Sequence, residues 1–419
     1  MPDIHAVLDA RTVTPVFQPL VEIGTGRVAG YEALTRGPAG TPWESPLALF
    51  AAARAAGREA ELDWVCRARA YEAALAAGLD RSTALFVNME PTAWRAGCPA
   101  DLADVTARAE RRLRVVTEMT ERSIAADPSA LLAATAQCRE AGWGVALDDV
   151  GADPHSLALM PFVHPDVVKL DMQLLRSPHE PHTARVVGAV RAYAESSGAL
   201  ILAEGIETER ELAVARSMGA VVGQGWHFGR PGPLPAGRAA GTALPLLGAP
   251  AADPARERSA TPYSIVAAER PVTRTTKSLL MPTSRMLEAD AGAGAQPPVL
   301  LACFQEEKFF TPATARRFAG LARRSPLVAA LGAGLPAEPA PGVRGADFGA
   351  DDPLRGEWNV IVVGPHHAAA LVARDAGSTG PDGDREFDHA VTYDRELVVA
   401  AARSLLHWLT PDRRLQPAT

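Results

Sequence analysis

Val145-Ala146-Leu147-Asp148-Asp149-Val150-Gly151 decides how this chain is read. Three apolar residues followed at once by two carboxylates read as the end of a buried strand. Strand side chains alternate faces, so neighbouring Asp residues reach one charge centre together only where the chain leaves the sheet. Two carboxylates that close repel, and a pKa rises unless a cation neutralises them. An isolated LDDVG would be an Asp-rich turn, because Asp and Gly suit turns. This one is not isolated, since six other expected strands also end in polar residues suited to a metal or phosphate site.

Toward the N-terminus, Thr14 to Ile23 and Arg27 to Leu34 read as strands joined by Gly24-Thr25-Gly26, a hairpin that makes the first two strands antiparallel. Helical stretches (Pro46 to Ala56, Glu61 to Ala77) then lead to a strand at Ala84 to Val87. A helix over Asp101 to Arg111 leads to Leu113 to Thr117, and Ser129 to Ala141 leads to Gly144 to Leu147. Asp166 to Leu170 follows, then His182 to Ser196 leading to Ala199 to Ala203, then Glu209 to Met218 leading to Val221-Val222. The helices rest on 3.6-residue apolar periodicity and the strands on short apolar runs. Such alternation with fully apolar strands implies a parallel sheet covered by helices. Eight strands at this length point to an α/β fold, a (β/α)8 TIM-like barrel with an antiparallel first strand, the alternative being an open doubly wound sheet.

In a barrel the residues at the strand ends meet on one rim. These are Glu32, Leu34 and Arg36; Asn88; Glu118 and Glu121; Asp148 and Asp149; Lys169 and Asp171; Glu204 and Glu207; and Gln224. So many acids on one rim require cations. Oxygen ligands with no His or Cys among them favour Mg²⁺ or Mn²⁺ over zinc. Paired ions roughly 3.5–4 Å apart clamp phosphoryl oxygens during in-line attack, so the chemistry expected from the residues alone is metal-assisted hydrolysis of a phosphate ester.

Composition sets the outer bounds. The chain has 419 residues, 47% hydrophobic and 22% charged, with a formal net charge of -7. That length allows two domains. The acidic balance and the lack of a basic cluster argue against a nucleic-acid polymer as partner. Cys66, Cys98, Cys138 and Cys303 are scattered without a CxxC pair, as expected of free thiols in a reducing compartment. No apolar signal region and no run of about 18 apolar residues stand out, so no membrane partner and a cytoplasmic location are expected.

Over about residues 10–235 the chain closely resembles the EAL domain family, phosphodiesterases of the bacterial second messenger cyclic di-GMP. FQPLVE (17–22), YEALTR (31–36), FVNMEP (86–91), TEMTER (117–122), LDDVG (147–151), VKLD (168–171), AEGIETE (203–209) and GQGWHFGRP (223–231) carry the resemblance. A lone Glu or Lys in such strings would be a surface residue; the joint pattern makes the case. The resemblance implies hydrolysis of cyclic di-GMP to the linear dinucleotide pGpG. Glu32, Asn88, Glu118 and Asp148 would hold one metal, and Asp148 would bridge to a second held also by Asp149 and Glu204. Lys169 would sit beside the attacking water, with the general base open among Lys169, Glu204 and a metal-bound hydroxide. Arg36 would pair with a substrate phosphate, where a planar guanidinium suits better than Lys. Gln224 would contribute to the same rim, Gln18, Leu34 and Asp171 to nucleotide contacts, and Glu121 and Glu207 would support the metal-site loops. A homodimer is also implied. One loop departs from the family: Ala152-Asp153-Pro154-His155-Ser156-Leu157 replaces a short Gly-Ser-rich loop with an aromatic residue, which keeps a receptor that binds without cleaving as the alternative.

From Gly232 to about Thr261 the chain is rich in Pro, Ala and Gly and reads as a linker, giving domains at 1–240 and 262–419 with 241–261 between them. Beyond it, helices are expected over Thr276 to Ala289 with a break at Pro282, Thr311 to Arg324, His366 to Ala376 and Asp394 to Trp408. Strands are expected over Pro298 to Phe304, Leu327 to Leu331 and Trp358 to Val363, with a mobile loop over Asp375 to Asp384. CFQEEKFFTPATARR (303–317), GEWNVIVVGP (356–365), AALVARD (369–375) and VTYDRELVVAAARSLL (391–406) resemble the DICT domain. That resemblance implies a smaller C-terminal α/β sensory domain that regulates the barrel.

Overall fold

A computed structural model describes residues 3–90, 93, 96–120, 127–152, 157, 160–235, 244–247, 260–293, 297–349, 351–378 and 380–409. Eight strands close a barrel: β1 (Thr14–Glu22), β2 (Val28–Arg36), β3 (Ala84–Asn88), β4 (Arg114–Thr120), β5 (Gly144–Val150), β6 (Val167–Leu170), β7 (Leu200–Ala203) and β8 (Val222–Gln224). β1 runs antiparallel to both neighbours, pairing Gln18 with Glu32 on β2 and Leu20 with Gln224 on β8. That last pairing closes the sheet and removes the open doubly wound alternative.

The period of two along each strand builds the interior in layers. Leu20, Ala84, Phe86, Val116, Ala146, Val167, Leu202 and Val222 are buried together inside the barrel. Two residues further along their strands, Asn88, Glu118, Asp148, Lys169, Glu204 and Gln224 face the same way. The intervening residues, such as Val115, Val145, Val168 and Ile201, pack outward against the helices. One alternation thus makes an apolar floor and a polar layer above it.

Inside the expected linker, Leu244 is buried in that interior cluster at 5% exposure. The Arg114 guanidinium donates to Leu244 O, and Leu247 N–H donates to Asp166 Oδ1 at 2.6 Å. Residues 244–247 are therefore a plug at the N-terminal end of the barrel and not a loosely packed connection.

The C-terminal domain is a seven-stranded mixed sheet in the order β12-β11-β10-β13-β14-β15-β9. The strands are β9 (Thr273–Thr276), β10 (Val299–Glu306), β11 (Val328–Ala333), β12 (Arg344–Ala346), β13 (Glu357–Val363), β14 (Ala368–Asp375) and β15 (Glu386–Thr392). Two expectations fail here. His366 to Ala376 is not helical, because Ala368–Ala373 is an inner strand hydrogen-bonded on both sides and buried throughout, which overrides the helix preference of its Ala and Leu residues. Pro282 does not break its helix, which runs Lys277–Ala293 through it. Helices Lys277–Ala293 and Pro312–Ala322 cover one sheet face. Helices Pro262–Ala267 and Arg395–Leu406 cover the other, in one continuous apolar cluster with Leu131, Leu132, Phe162 and Val163 of the barrel's outer shell.

Candidate metal centre

The polar layer converges on Lys169, which is fully buried. Its ammonium lies 2.5 Å from Glu118 Oε1, 2.7 Å from Glu204 Oε1, 2.8 Å from Asp148 Oδ1 and 3.9 Å from Glu32 Oε1. Glu32 is further held across β1: Gln224 Nε2 donates to Glu32 Oε2 at 2.5 Å and to Gln18 Oε1 at 3.1 Å, and Asn88 Nδ2 donates to Glu32 Oε1 at 3.4 Å. Gly225 lets β8 reach this rim, since a Cβ there would lie 2.1 Å from Ile206 O.

Asp149 joins the group through a backbone irregularity. The β5–β6 register shifts between Leu147 and Val150, and Asp149 has φ 55°. A bulge at a left-handed residue turns the second carboxylate to the same side as the first. Ligand oxygens of Asp148, Asp149 and Glu204 consequently lie within 4.8 Å of one another.

The charge balance is lopsided. One ammonium faces the carboxylates of Glu32, Glu118, Asp148 and Glu204. Burial pushes Glu118 well above the usual carboxylate range, with Glu32 adding like-charge repulsion, and pushes Glu204 up to about 8. Burial alone would lower Lys169; the summed attraction of Asp148, Glu118, Glu204 and Glu32 outweighs it and holds the ammonium charged. Glu118 Oε2 and Gln224 Oε1 are buried without a hydrogen-bond partner among the described residues. Orphaned hard acceptors and excess negative charge fit divalent cations with oxygen preference. Glu32, Glu118, Asp148, Asp149 and Glu204, with the carboxamide of Asn88, are the groups that could hold them.

The other expected site residues fall at the edge of this centre. Leu34 lines a cavity beside Asn88 and Glu118. The Arg36 guanidinium donates to Thr35 O at 2.8 Å. Asp171 caps the Met172–Arg176 helix by accepting from Gln173 N at 2.7 Å. Gln18 Nε2 donates to Gly229 O at 3.2 Å, and Glu207 lies 3.8 Å from Arg176. Glu121, and residues 153–156 of the divergent loop, lie outside the described residues. Sequence reading missed Asp63, Trp64 and Arg67 of the Glu59–Ala76 helix, whose signal was a charged pair four residues apart on a face that should be apolar.

The sequence model of the EAL domain matches residues 3–231. The chain belongs to the EAL domain family. A second model, the sensory domain in diguanylate cyclases and two-component systems (DICT), matches residues 264–376. Over 234 residues the EAL region is 27% identical to "Probable cyclic di-GMP phosphodiesterase PdeB" of Escherichia coli, covering 54% of this chain and 44% of that protein. It is 28% identical over 236 residues to a cyclic di-GMP phosphodiesterase of Pseudomonas aeruginosa, covering 52% of this chain and 38% of the relative. The chain thus spans less than half the length of either. Among solved structures, the manganese and cyclic di-GMP complex of BlrP1 from Klebsiella pneumoniae is 30% identical, covering 53% of this chain and 56% of that one at TM-score 0.47. The PaMucR phosphodiesterase complex with c-di-GMP is 25% identical, covering 55% and 96% at TM-score 0.47. Outside the EAL domain, no described helix is long and apolar enough to cross a membrane, and none within it is either.

Proposed function

We propose that the chain hydrolyses cyclic di-GMP to linear pGpG with two Mg²⁺ or Mn²⁺ ions on the barrel rim, under regulation by its C-terminal domain. The observation that carries this reading is the convergence of Glu32, Glu118, Asp148 and Glu204 on one buried lysine, with Asn88 bonded to Glu32, Asp149 beside Asp148 and Glu204, and buried acceptors left over. The relatives named as cyclic di-GMP phosphodiesterases support the substrate. Such ions, when bound, neutralise phosphoryl oxygens and lower the pKa of an attacking water. Lys169 keeps its charge inside the carboxylate cage and orients that water through its ammonium. Of the four carboxylates that face the ammonium, Glu204 is the most open, its side chain 19% exposed, and it would receive the proton. Gln18 and Gln224 hold Glu32 in register, while Arg36, Leu34 and Asp171 on the rim meet the nucleotide.

For regulation, the Arg395–Leu406 helix of the 262–419 unit packs on the Pro128–Glu140 and Met160–Val163 helices of the 1–240 unit. Arg403 Nη1 donates to Phe162 O at 3.2 Å. The Met160–Val163 helix belongs to the same β5–β6 connection that leaves the sheet at Asp149-Val150-Gly151, and through it the sensor would act on the carboxylates. A homodimer belongs to the same reading and is checked by the mass of the chain in solution.

A time course with cyclic di-GMP and Mg²⁺ or Mn²⁺, resolving the linear dinucleotide and run beside a chelator control, tests the function. Metal-dependent linear product that disappears in Glu32→Ala and Asp148→Asn is the expected result. Retained turnover in either variant refutes the assignment, and tight binding of intact cyclic dinucleotide without product establishes the receptor reading instead.

A further inference from the structure

The Glu59–Ala76 helix buries a charged pair that the reaction described above does not use. Asp63 and Arg67, four residues apart, are 4% and 2% exposed. Arg67 Nε and Nη2 both donate to Asp63 Oδ2, at 2.9 and 2.5 Å. This leaves Oδ1 for another donor, and it accepts the backbone N–H of Glu90 at 3.0 Å. The next residue adds a second tether: Trp64 Nε1 donates to Ala93 O at 3.1 Å, and the Arg67 guanidinium lies 3.9 Å over the indole ring. From the opposite side, Met89 N–H donates to Glu118 O at 3.0 Å. Residues 88–90 are thus gripped between β4 and this helix, with Asn88 at their head.

A buried ion pair is a poor device for stability, since well-packed apolar residues of similar volume do as well or better. What the pair does provide is a charged acceptor in fixed orientation, and a charged acceptor bonds a backbone N–H roughly twice as strongly as a neutral one. Cutting that bond would leave the segment held on the β4 side, by the Asn88–Glu118 pairing and the Met89 N–H, with its Glu90 end released. A cavity of about 280 Å³ borders it, lined by Asp63, Arg67, Asn88, Glu90 and Glu118, and offers room to relax. We propose that Asp63 is a positioning residue for the metal centre: its carboxylate, oriented by Arg67, fixes the Asn88–Glu90 segment and with it the reach of the Asn88 carboxamide. This role rests on the reading of Asn88 as a metal ligand.

Calorimetric titration of the full chain with Mn²⁺ alone tests it in wild type, Asp63→Asn, Trp64→Phe and Asn88→Ala. Asn at 63 keeps the volume but offers one oxygen, which Arg67 retains, so an NH₂ group faces the Glu90 N–H and the loop bond is lost. Asp63→Asn should weaken Mn²⁺ binding roughly 10–100-fold, as loss of outer supports of metal ligands does. Trp64→Phe, which drops the indole N–H bond and leaves a smaller ring under Arg67, should weaken it roughly threefold. Turnover of cyclic di-GMP by Asp63→Asn should recover at saturating Mn²⁺. A merely structural pair would lower Tm and leave the affinity of the folded protein alone, so wild-type affinity in folded Asp63→Asn overturns the proposal. Should that variant not fold, unchanged affinity in Trp64→Phe overturns it equally. Unchanged affinity in Asn88→Ala would remove Asn88 from the ligand set, and that outcome marks the underlying reading, and this proposal with it, as the failure.

Discussion

Replacing Lys169 with Met tests the electrostatic account of the centre most directly. Met keeps the length and apolar stem and removes the one ammonium among Glu32, Glu118, Asp148 and Glu204. Three of those contacts are 2.5, 2.7 and 2.8 Å long. At an effective dielectric near 20 each is worth about 6 kcal/mol of attraction. Most of that is offset by the desolvation of Lys169 and by repulsion among the acids, and removing one partner of a buried pair costs roughly 3–5 kcal/mol net. In a barrel of this size about 1 kcal/mol moves Tm by roughly 2–4 °C, which gives a drop of roughly 6–20 °C. The assay is thermal unfolding of the metal-free full chain, wild type beside Lys169→Met, at pH 8 and pH 5. The deficit should be large at pH 8 and smaller at pH 5, where the crowded acids take up protons. Added Mn²⁺ should restore much of it without restoring turnover. Equal metal-free stability at pH 8, or a deficit indifferent to pH, would refute the cage.

Three further outcomes follow from the same layer and its floor. Burial raises Glu204 from 4.5 to about 8, and raises Glu118 as well, so between those values the folded metal-free chain holds protons that the unfolded chain has released. Its stability therefore falls as pH rises through that window. Bound cations expel those protons, so the Tm gain from Mn²⁺ should grow from pH 6 to pH 8.5, and a pH-independent gain would place the ion elsewhere. At the opposite end, Leu244→Ala should destabilise the barrel by about 2–5 kcal/mol, as removal of a buried leucine does. A chain cut after residue 235 should melt lower than one cut after Leu247, and equal melting of the two would show that the plug contributes nothing.

Much of this is legible in the amino-acid sequence. Apolar runs separated by helical periodicity specify the strands, and the two-glycine turn at Gly24-Thr25-Gly26 specifies that β1 runs backward. Because side chains alternate strictly along a strand, a polar residue two positions beyond a buried apolar one must face the barrel interior. That local rule places Asn88, Glu118, Asp148, Lys169, Glu204 and Gln224 without knowledge of their neighbours. In the C-terminal domain the rule weakens: Ala368–Asp375 is rich in good helix formers, and only pairing with β13 and β15 makes it a strand.

Local patterning alone specifies the set of inward-facing polar residues and the order in which they arrive. Which of them touch was decided by barrel closure and strand stagger, long-range properties that no local pattern encodes. Closure brings Gln224 across β1 to Glu32, 192 residues away in the chain, and seats four carboxylates about Lys169. The same holds for Asp63, whose second oxygen meets Glu90 only once the helix has packed, and for Leu244, apolar in a Pro-Ala-Gly stretch without periodicity. Contacts set by packing across long loops carry no signature in the residues that make them, because each side chain is ordinary until its partner arrives.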